Sequence, residues 1–236
     1  MEITRQKLAG MIDHSLLRPN ATREELKKLC DESIQYGFKA VCINPIHVAD
    51  AVAFLKGEEV LVCSVVGFPF GTHSPKIKAS ETKEAVKLGA REIDMVIRVG
   101  ALKEGRDKEV IEDIHAVVEA AKGYPVKVIL EACYLTDEEK IRGCQLSMEA
   151  GASFLKTSTG FASHGATVED VRLMRKTVGK DFGVKAAGGI RTLDDVLKMI
   201  EAGANRLGTS GSVAIIKQID EMSHSCIVGK GGIIDD

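Results

Sequence analysis

The chain has 236 residues, of which 44% are apolar and 28% charged, the composition of one large folded domain with an ample buried core; a disordered chain and a coiled coil are excluded. Lysine and arginine number 32 against 34 acids, and a net charge of −2 offers no basic excess for a nucleic acid or an anionic membrane. Six widely spaced cysteines without a C-x-x-C pair, and six scattered histidines without metal-ligand spacing, read as reduced thiols in a cytoplasmic protein that uses no metal.

From the amino terminus onward, Glu2 interrupts any apolar leader, and nowhere do eighteen apolar residues run together, so no membrane segment is expected. The first short strand is 11–15, which carries Asp13. Thr22 with Glu25 then sets a hydroxyl three residues before an acid, the capping-box signature of a helix start, and Gly37 stops that helix where a left-handed backbone is wanted. Apolar runs at 38–43 and 60–66 read as buried parallel strands. Ser74-Pro75 opens the next helix, because proline at the first helical position gives up only an amide that had no intrahelical acceptor, and Gly89 closes it. Strand 92–97 follows with Asp94 inside it. Gly123 ends a further helix, 126–131 is a strand closed by Glu131, and Thr136 with Glu139 begins a helix that Gly151 ends. Strand 153–157 carries Lys156, and Thr167 with Asp170 and Gly179 bound the helix after it. Strand 182–186 carries Lys185, Thr192 with Asp195 and Gly203 bound the next helix, and 205–208 is the last strand.

The segments at 149–157 (E-A-G-A-S-F-L-K-T) and 201–209 (E-A-G-A-N-R-L-G-T) are near copies of one helix-stop-strand unit, and 88–95 is a looser third. Eight such strands in a chain close to the ~250 residues typical of the fold predict an α/β protein, a (β/α)8 TIM barrel in a single domain. The domain is expected to span 1–220, with a polar, glycine-rich tail at 221–236 expected to be mobile. A doubly wound open sheet would have fewer strands, and no G-x-G-x-x-G follows the first one.

Parallel barrels take their catalytic groups from the carboxyl ends of strands, which directs attention to Asp13, Asp94, Glu131, Lys156 and Lys185. Lys156 and Lys185 end consecutive strands at equivalent places, and neighbouring strands lie ~4.8 Å apart, within a side chain's reach. Like charges that close do not both stay protonated cheaply, so one lysine is expected to become a neutral amine able to form a Schiff base with a carbonyl. Asp94 beside them suits a proton shuttle, while Asp13 and Glu131 read as positioning groups. Gly188, Gly189 and Arg191 follow the seventh strand, and Gly208, Ser210 and Gly211 end or follow the eighth. Those are the places where barrels bind phosphate with bare amides and a helix amino terminus, Arg191 adding a charge-assisted contact. Thr159 and Gly160, in the small-residue run after Lys156, read either as a plain strand-to-helix turn or as a turn whose hydroxyls orient a sugar phosphate.

The motifs F-L-K-T-S-T-G-F (154–161), G-V-K-A-A-G-G-I-R (183–191), E-I-D-M-V-I (92–97) and I-D-H-S-L-L (12–17) closely resemble the deoxyribose-phosphate aldolase family, with likeness from about residue 3 to residue 217. The resemblance implies a class I aldolase that cleaves 2-deoxy-D-ribose 5-phosphate to D-glyceraldehyde 3-phosphate and acetaldehyde, with no metal or organic cofactor. It implies that Lys156 forms the Schiff base, that Lys185 stays charged and favours the neutral amine of Lys156, and that Lys185 and Asp94 serve as proton donor and acceptor. Gly188, Gly189, Gly208, Ser210 and Gly211 match its phosphate positions. Two departures are visible. Phe161 stands where some members carry a lysine, which shifts the phosphate's support toward amides and dipole. The last tyrosine is Tyr134, whereas some relatives end in a tyrosine. The expected partners are a small phosphosugar and copies of the chain itself, a symmetric dimer by default or a tetramer. The alternative function is another phosphosugar barrel enzyme, an isomerase or related aldolase.

Overall fold

Eight parallel strands close on themselves in sequence order, each pairing with the next and the last with the first. The computed structural model describes residues 3–228, with side chains as far as Glu221. The strands are β1 (Ile12–Leu16), β2 (Ala40–Ile43), β3 (Leu61–Val66), β4 (Glu92–Val96), β5 (Val126–Ile129), β6 (Phe154–Lys156), β7 (Gly183–Ala187) and β8 (Arg206–Thr209). All eight coincide with the expected runs to within two residues at each end. The helices around them are α1 (Arg5–Ala9), α2 (Arg23–Tyr36), α3 (Val48–Phe54), α4 (Pro75–Leu88), α5 (Val99–Lys103), α6 (Asp107–Ala120), α7 (Asp137–Glu149), α8 (Val168–Val178), α9 (Leu193–Glu201) and α10 (Ser212–Val228). None of them is long and apolar enough to cross a membrane.

Local chemistry accounts for most helix ends. Thr22, Thr136 and Thr192 each form the reciprocal capping box with the acid three residues on. Thr167 caps the Asp170 amide. Helix α4 begins at Pro75 as expected from proline at the first helical position, and the Ser74 carbonyl accepts from the Ile77 and Lys78 amides while its hydroxyl makes no cap. The repeated glycine stop is built alike at Gly151 and Gly203, which take φ of 87° and 113°. The following amides, Ala152 and Ala204, turn back to the carbonyls of Ser147 and Met199. Thr4 caps the Lys7 amide of the short helix α1, whereas α3 and α5 start without a side-chain cap. Helix α10 runs on to Val228, so the first part of the expected tail is helical, while 229–236 lies outside the described residues.

The burial divides into two layers. Outward-facing aliphatics such as Val41, Ile93, Val128, Leu155 and Val184 pack against the helices. A separate inner cluster of Ala40, Cys42, Cys63 and Val65 lines one side of the lumen, and its small side chains leave space for long charged ones opposite. The register sets that opposition: Asp94 is level with Lys127, Lys156 with Lys185, and Lys185 with Arg206.

Candidate active site

Strand alternation points every second residue into the lumen, and that lumen is filled by charge. At its upper level Asp94 Oδ2 lies 2.9 Å from Lys156 Nζ and 2.7 Å from Lys185 Nζ. One carboxylate oxygen thus sits between the two lysines, and the expected bare repulsion is corrected to a bridged pair. The other oxygen, Oδ1, accepts from Lys127 Nζ at 2.8 Å and from the Cys63 thiol at 3.1 Å. Below, Asp13 accepts from Lys185 at 2.5 Å and from Arg206 Nε at 2.6 Å, and Glu92 accepts from Lys127 and Arg206 at 2.7 and 2.6 Å.

The seven charged side chains are Asp13, Glu92 and Asp94 against Lys127, Lys156, Lys185 and Arg206, so full ionisation leaves one positive charge in excess. Six of them are held from several sides. Lys156 has Asp94 as its one side-chain hydrogen-bond partner among the described residues and, at 2% exposed, is the member that reaches the cavity above. Spacing left open which lysine a substrate meets; the fold brings Lys156 to the cavity and buries Lys185 beneath it.

Burial opposes ionisation of both aspartates, yet the surrounding cations win. Asp13 is lowered to about 2 by Lys185, Lys127 and Arg206, and Asp94 is held well below the ordinary carboxylate value by Lys127, Lys156 and Lys185. Burial likewise opposes charge on Lys127 and Lys185, but Asp94 and Asp13 raise both above the usual lysine value. Depressed carboxylates contribute stability that is present above their unfolded pKa and lost as pH falls through the folded one. Raised lysines contribute stability present below about 10.5 and lost only above it. The lumen's share of stability should therefore stay level from neutrality to about pH 4 and then fall steeply toward pH 2, Asp13 alone accounting for roughly 2 kcal/mol, on top of a shallower loss that starts below about pH 6.5 because burial lowers the pKa of His14. Unfolding curves followed by circular dichroism would check this; a midpoint unchanged at pH 2 would contradict the ion-paired lumen.

Above Lys156 opens a cavity of about 380 Å³ at the carboxyl ends of the strands. Its wall includes Thr159, Gly160, Gly188, Gly189, Arg191, Gly208 and Ser210, as expected from the small-residue turns. Gly188 and Gly189 take φ of 84° and 78°, a backbone turn that side chains disfavour. Gly208 serves a second purpose, since a Cβ there would come within 3.0 Å of Lys185 Cε. Of the expected catalytic residues only Lys156 lines this cavity, Asp94 and Lys185 lying buried beneath it, and two residues expected to bind substrate also fall outside the wall. Gly211 turns its amide to Thr209 Oγ1 at 3.0 Å instead of leaving it bare. Asp13 is fully buried below, both oxygens engaged by Lys185 and Arg206, so it supports the lumen and does not touch the cavity.

Glu131 behaves as the positioning group expected of it. It adopts a left-handed backbone, φ 53°, and its buried carboxylate accepts from the Thr159 amide at 3.1 Å and from the Thr159 hydroxyl, fixing the turn after Lys156. Phe161 borders the cavity and meets Phe68 edge to face at 5.5 Å. Arg18, just beyond β1, also borders it, although it lies neither on a strand nor in a glycine turn. Its signal in the sequence is a cation two residues past the end of the first strand. A neighbouring cavity of about 400 Å³ shares Thr159 and Phe161 but is lined by none of Asp94, Lys156 or Lys185.

A family model described as DeoC/LacD family aldolase matches residues 7–217. A deoxyribose-phosphate aldolase of Geobacillus sp. (strain WCH70) is 57% identical over 211 residues, 89% of this chain and 95% of that protein. One from Carboxydothermus hydrogenoformans is 57% identical over 219 residues, 91% and 96% of the two chains. Among solved structures, the tetrameric deoxyribose phosphate aldolase from Aeropyrum pernix matches with a TM-score of 0.87 at 32% identity, over 93% of each chain.

Proposed function

The chain belongs to the DeoC/LacD aldolase family, and from that premise we propose that it cleaves 2-deoxy-D-ribose 5-phosphate reversibly to D-glyceraldehyde 3-phosphate and acetaldehyde through a Schiff base on Lys156. The observation that carries the assignment of residues is the placement of Lys156 Nζ at the cavity floor, 2.9 Å from an Asp94 oxygen that Lys185 also holds. With one cation in excess in the lumen, Lys156 is the member whose proton has a route to solvent.

In this reading the neutral Lys156 amine attacks C1 of the open-chain sugar, and the carbinolamine loses water to give an iminium. The iminium withdraws the electron pair of the C2–C3 bond as the C3 hydroxyl gives up its proton. Glyceraldehyde 3-phosphate leaves, and the remaining enamine is protonated at C2 and hydrolysed to acetaldehyde. Asp94 and Lys185 carry those protons, Asp94 as acceptor and Lys185 as donor, with Lys127 keeping the Asp94 carboxylate ionised and oriented. The phosphate sits against the turns of Gly188, Gly189 and Ser210 at the mouth of β7 and β8, with Gly160 and Arg191 at its margin.

Self-association and a cytoplasmic location belong to the same proposal. Ile46 and Phe70 are 83% and 76% exposed, apolar surface of the kind an oligomer covers, and the Aeropyrum pernix relative is tetrameric. The five cysteines with described side chains are free thiols. Sodium borohydride with acetaldehyde should leave one stable adduct per chain, mapping to Lys156. An adduct at another lysine, or none, would overturn the assignment.

A further inference from the structure

The proposed aldol chemistry leaves two buried side chains of the lumen without a task. Cys42 and Cys63 are directly opposed on β2 and β3, both fully buried, and both aim their sulfurs at Asp94. The Cys63 Sγ lies 3.1 Å from Asp94 Oδ1 and the Cys42 Sγ 3.7 Å from Oδ2. The two sulfurs and a carboxylate oxygen of Asp94 all lie within 4.8 Å of one another. Two thiolates and a carboxylate are a donor set for a borderline-soft cation. Three ligands around a tetrahedral ion with bonds of about 2.0–2.3 Å lie roughly 3.3–3.8 Å apart, so side-chain shifts of about 1 Å suffice.

We propose that Cys42, Cys63 and Asp94 form a site for one thiophilic divalent cation, Zn²⁺ or Cd²⁺, beneath the cavity floor. Binding replaces two thiol protons by one dication, so the charge of the lumen does not change, and the two protons leave to solvent. Lys127, which contacts both Asp94 and Cys63, keeps Glu92 at 2.7 Å and Asp13 at 3.7 Å when it yields its Asp94 bond. The way in is the one a substrate would use, since Asp94 lies directly under Lys156. Occupancy takes Asp94 away from Lys156, so the cation is an inhibitor; that consequence rests on the role given to Asp94 above, whereas binding does not.

The test is a Cd²⁺ titration of the reduced full chain, following the ultraviolet charge-transfer band of cadmium–thiolate bonds, proton release and retro-aldol activity together. One ion per chain, two protons released and a ¹¹³Cd resonance characteristic of two sulfur ligands are expected of the native protein, independently of any variant. Cys42→Ser and Cys63→Ser should each weaken binding at least about 100-fold, and Cys133→Ser should leave it unchanged. Loss in the Cys63 variant alone would place the ion among Asp13, Cys63 and Glu92, the other cluster of suitable spacing, and would overturn the proposal, as would a band that follows Cys133. Activity should fall with the same midpoint as the band and return on adding a chelator. Binding by both cysteines with activity intact would uphold the site and overturn the part given to Asp94.

Discussion

Replacing Lys156 by arginine should lower kcat/KM at least about 10⁴-fold and abolish the borohydride adduct, while the barrel remains folded. Arginine keeps the positive charge that Asp94 Oδ2 meets, so the electrostatics of the lumen are nearly preserved. What disappears is the ability to present a neutral amine, because a guanidinium does not give up its proton in a protein. Stability should change little, since Asp94 retains Lys127 and Lys185. Steady-state kinetics with a dehydrogenase-coupled readout, alongside a melting curve, separates the two effects. Residual activity within tenfold of the native enzyme would favour an acid–base enzyme, such as an isomerase, over a Schiff-base aldolase.

Asp94→Asn should act on both chemistry and stability. The carboxylate links three lysines, and an amide in its place leaves Lys127, Lys156 and Lys185 buried or nearly so with less compensation. Removing one partner from a buried ion-pair network costs about 3–5 kcal/mol, moderated here because Lys127 and Lys185 keep Glu92 and Asp13. Proton transfer should slow by about 10²–10⁴ in kcat. Lys156 is still present, so the borohydride adduct should still form, more slowly and at the same residue. That split between a trapped adduct and lost turnover distinguishes a proton relay from the nucleophile. If adduct formation and turnover fell in equal proportion, Asp94 would be needed only to hold Lys156 in place.

Much of this lumen could be read without coordinates. An acid or a lysine inside a run of β-branched residues is conspicuous, and Asp94, Lys156 and Lys185 stand out for that reason. Capping boxes and glycine stops fixed the strand spacing closely enough to count eight. Glu92, Lys127 and Arg206 lie at strand beginnings, away from the carboxyl ends where barrel chemistry is expected. Their meaning also depends on partners far away in sequence, such as Asp13 for Arg206 at a separation of 193 residues. Gly208 and Gly211 belong to one small-residue run, yet one makes room for the Lys185 stem and the other satisfies its amide on Thr209, a difference set by three-dimensional neighbours alone.

The glycine stops have a consequence for how the chain tolerates change in length. Asp94, Lys156 and Gly208 each stand five positions after a glycine, Gly89, Gly151 and Gly203 in turn. Each left-handed glycine is the zero mark of a short ruler that ends on the lumen side of the next strand. Adding or removing one residue inside that interval would turn the measured position outward to the helix layer, keeping the strand and discarding its chemistry. Insertions beyond Lys156 or Gly208 fall in turns at the barrel mouth and leave the ruler intact. Across these units, which residue faces the lumen depends on a count from the glycine, independently of what the turns at the mouth hold.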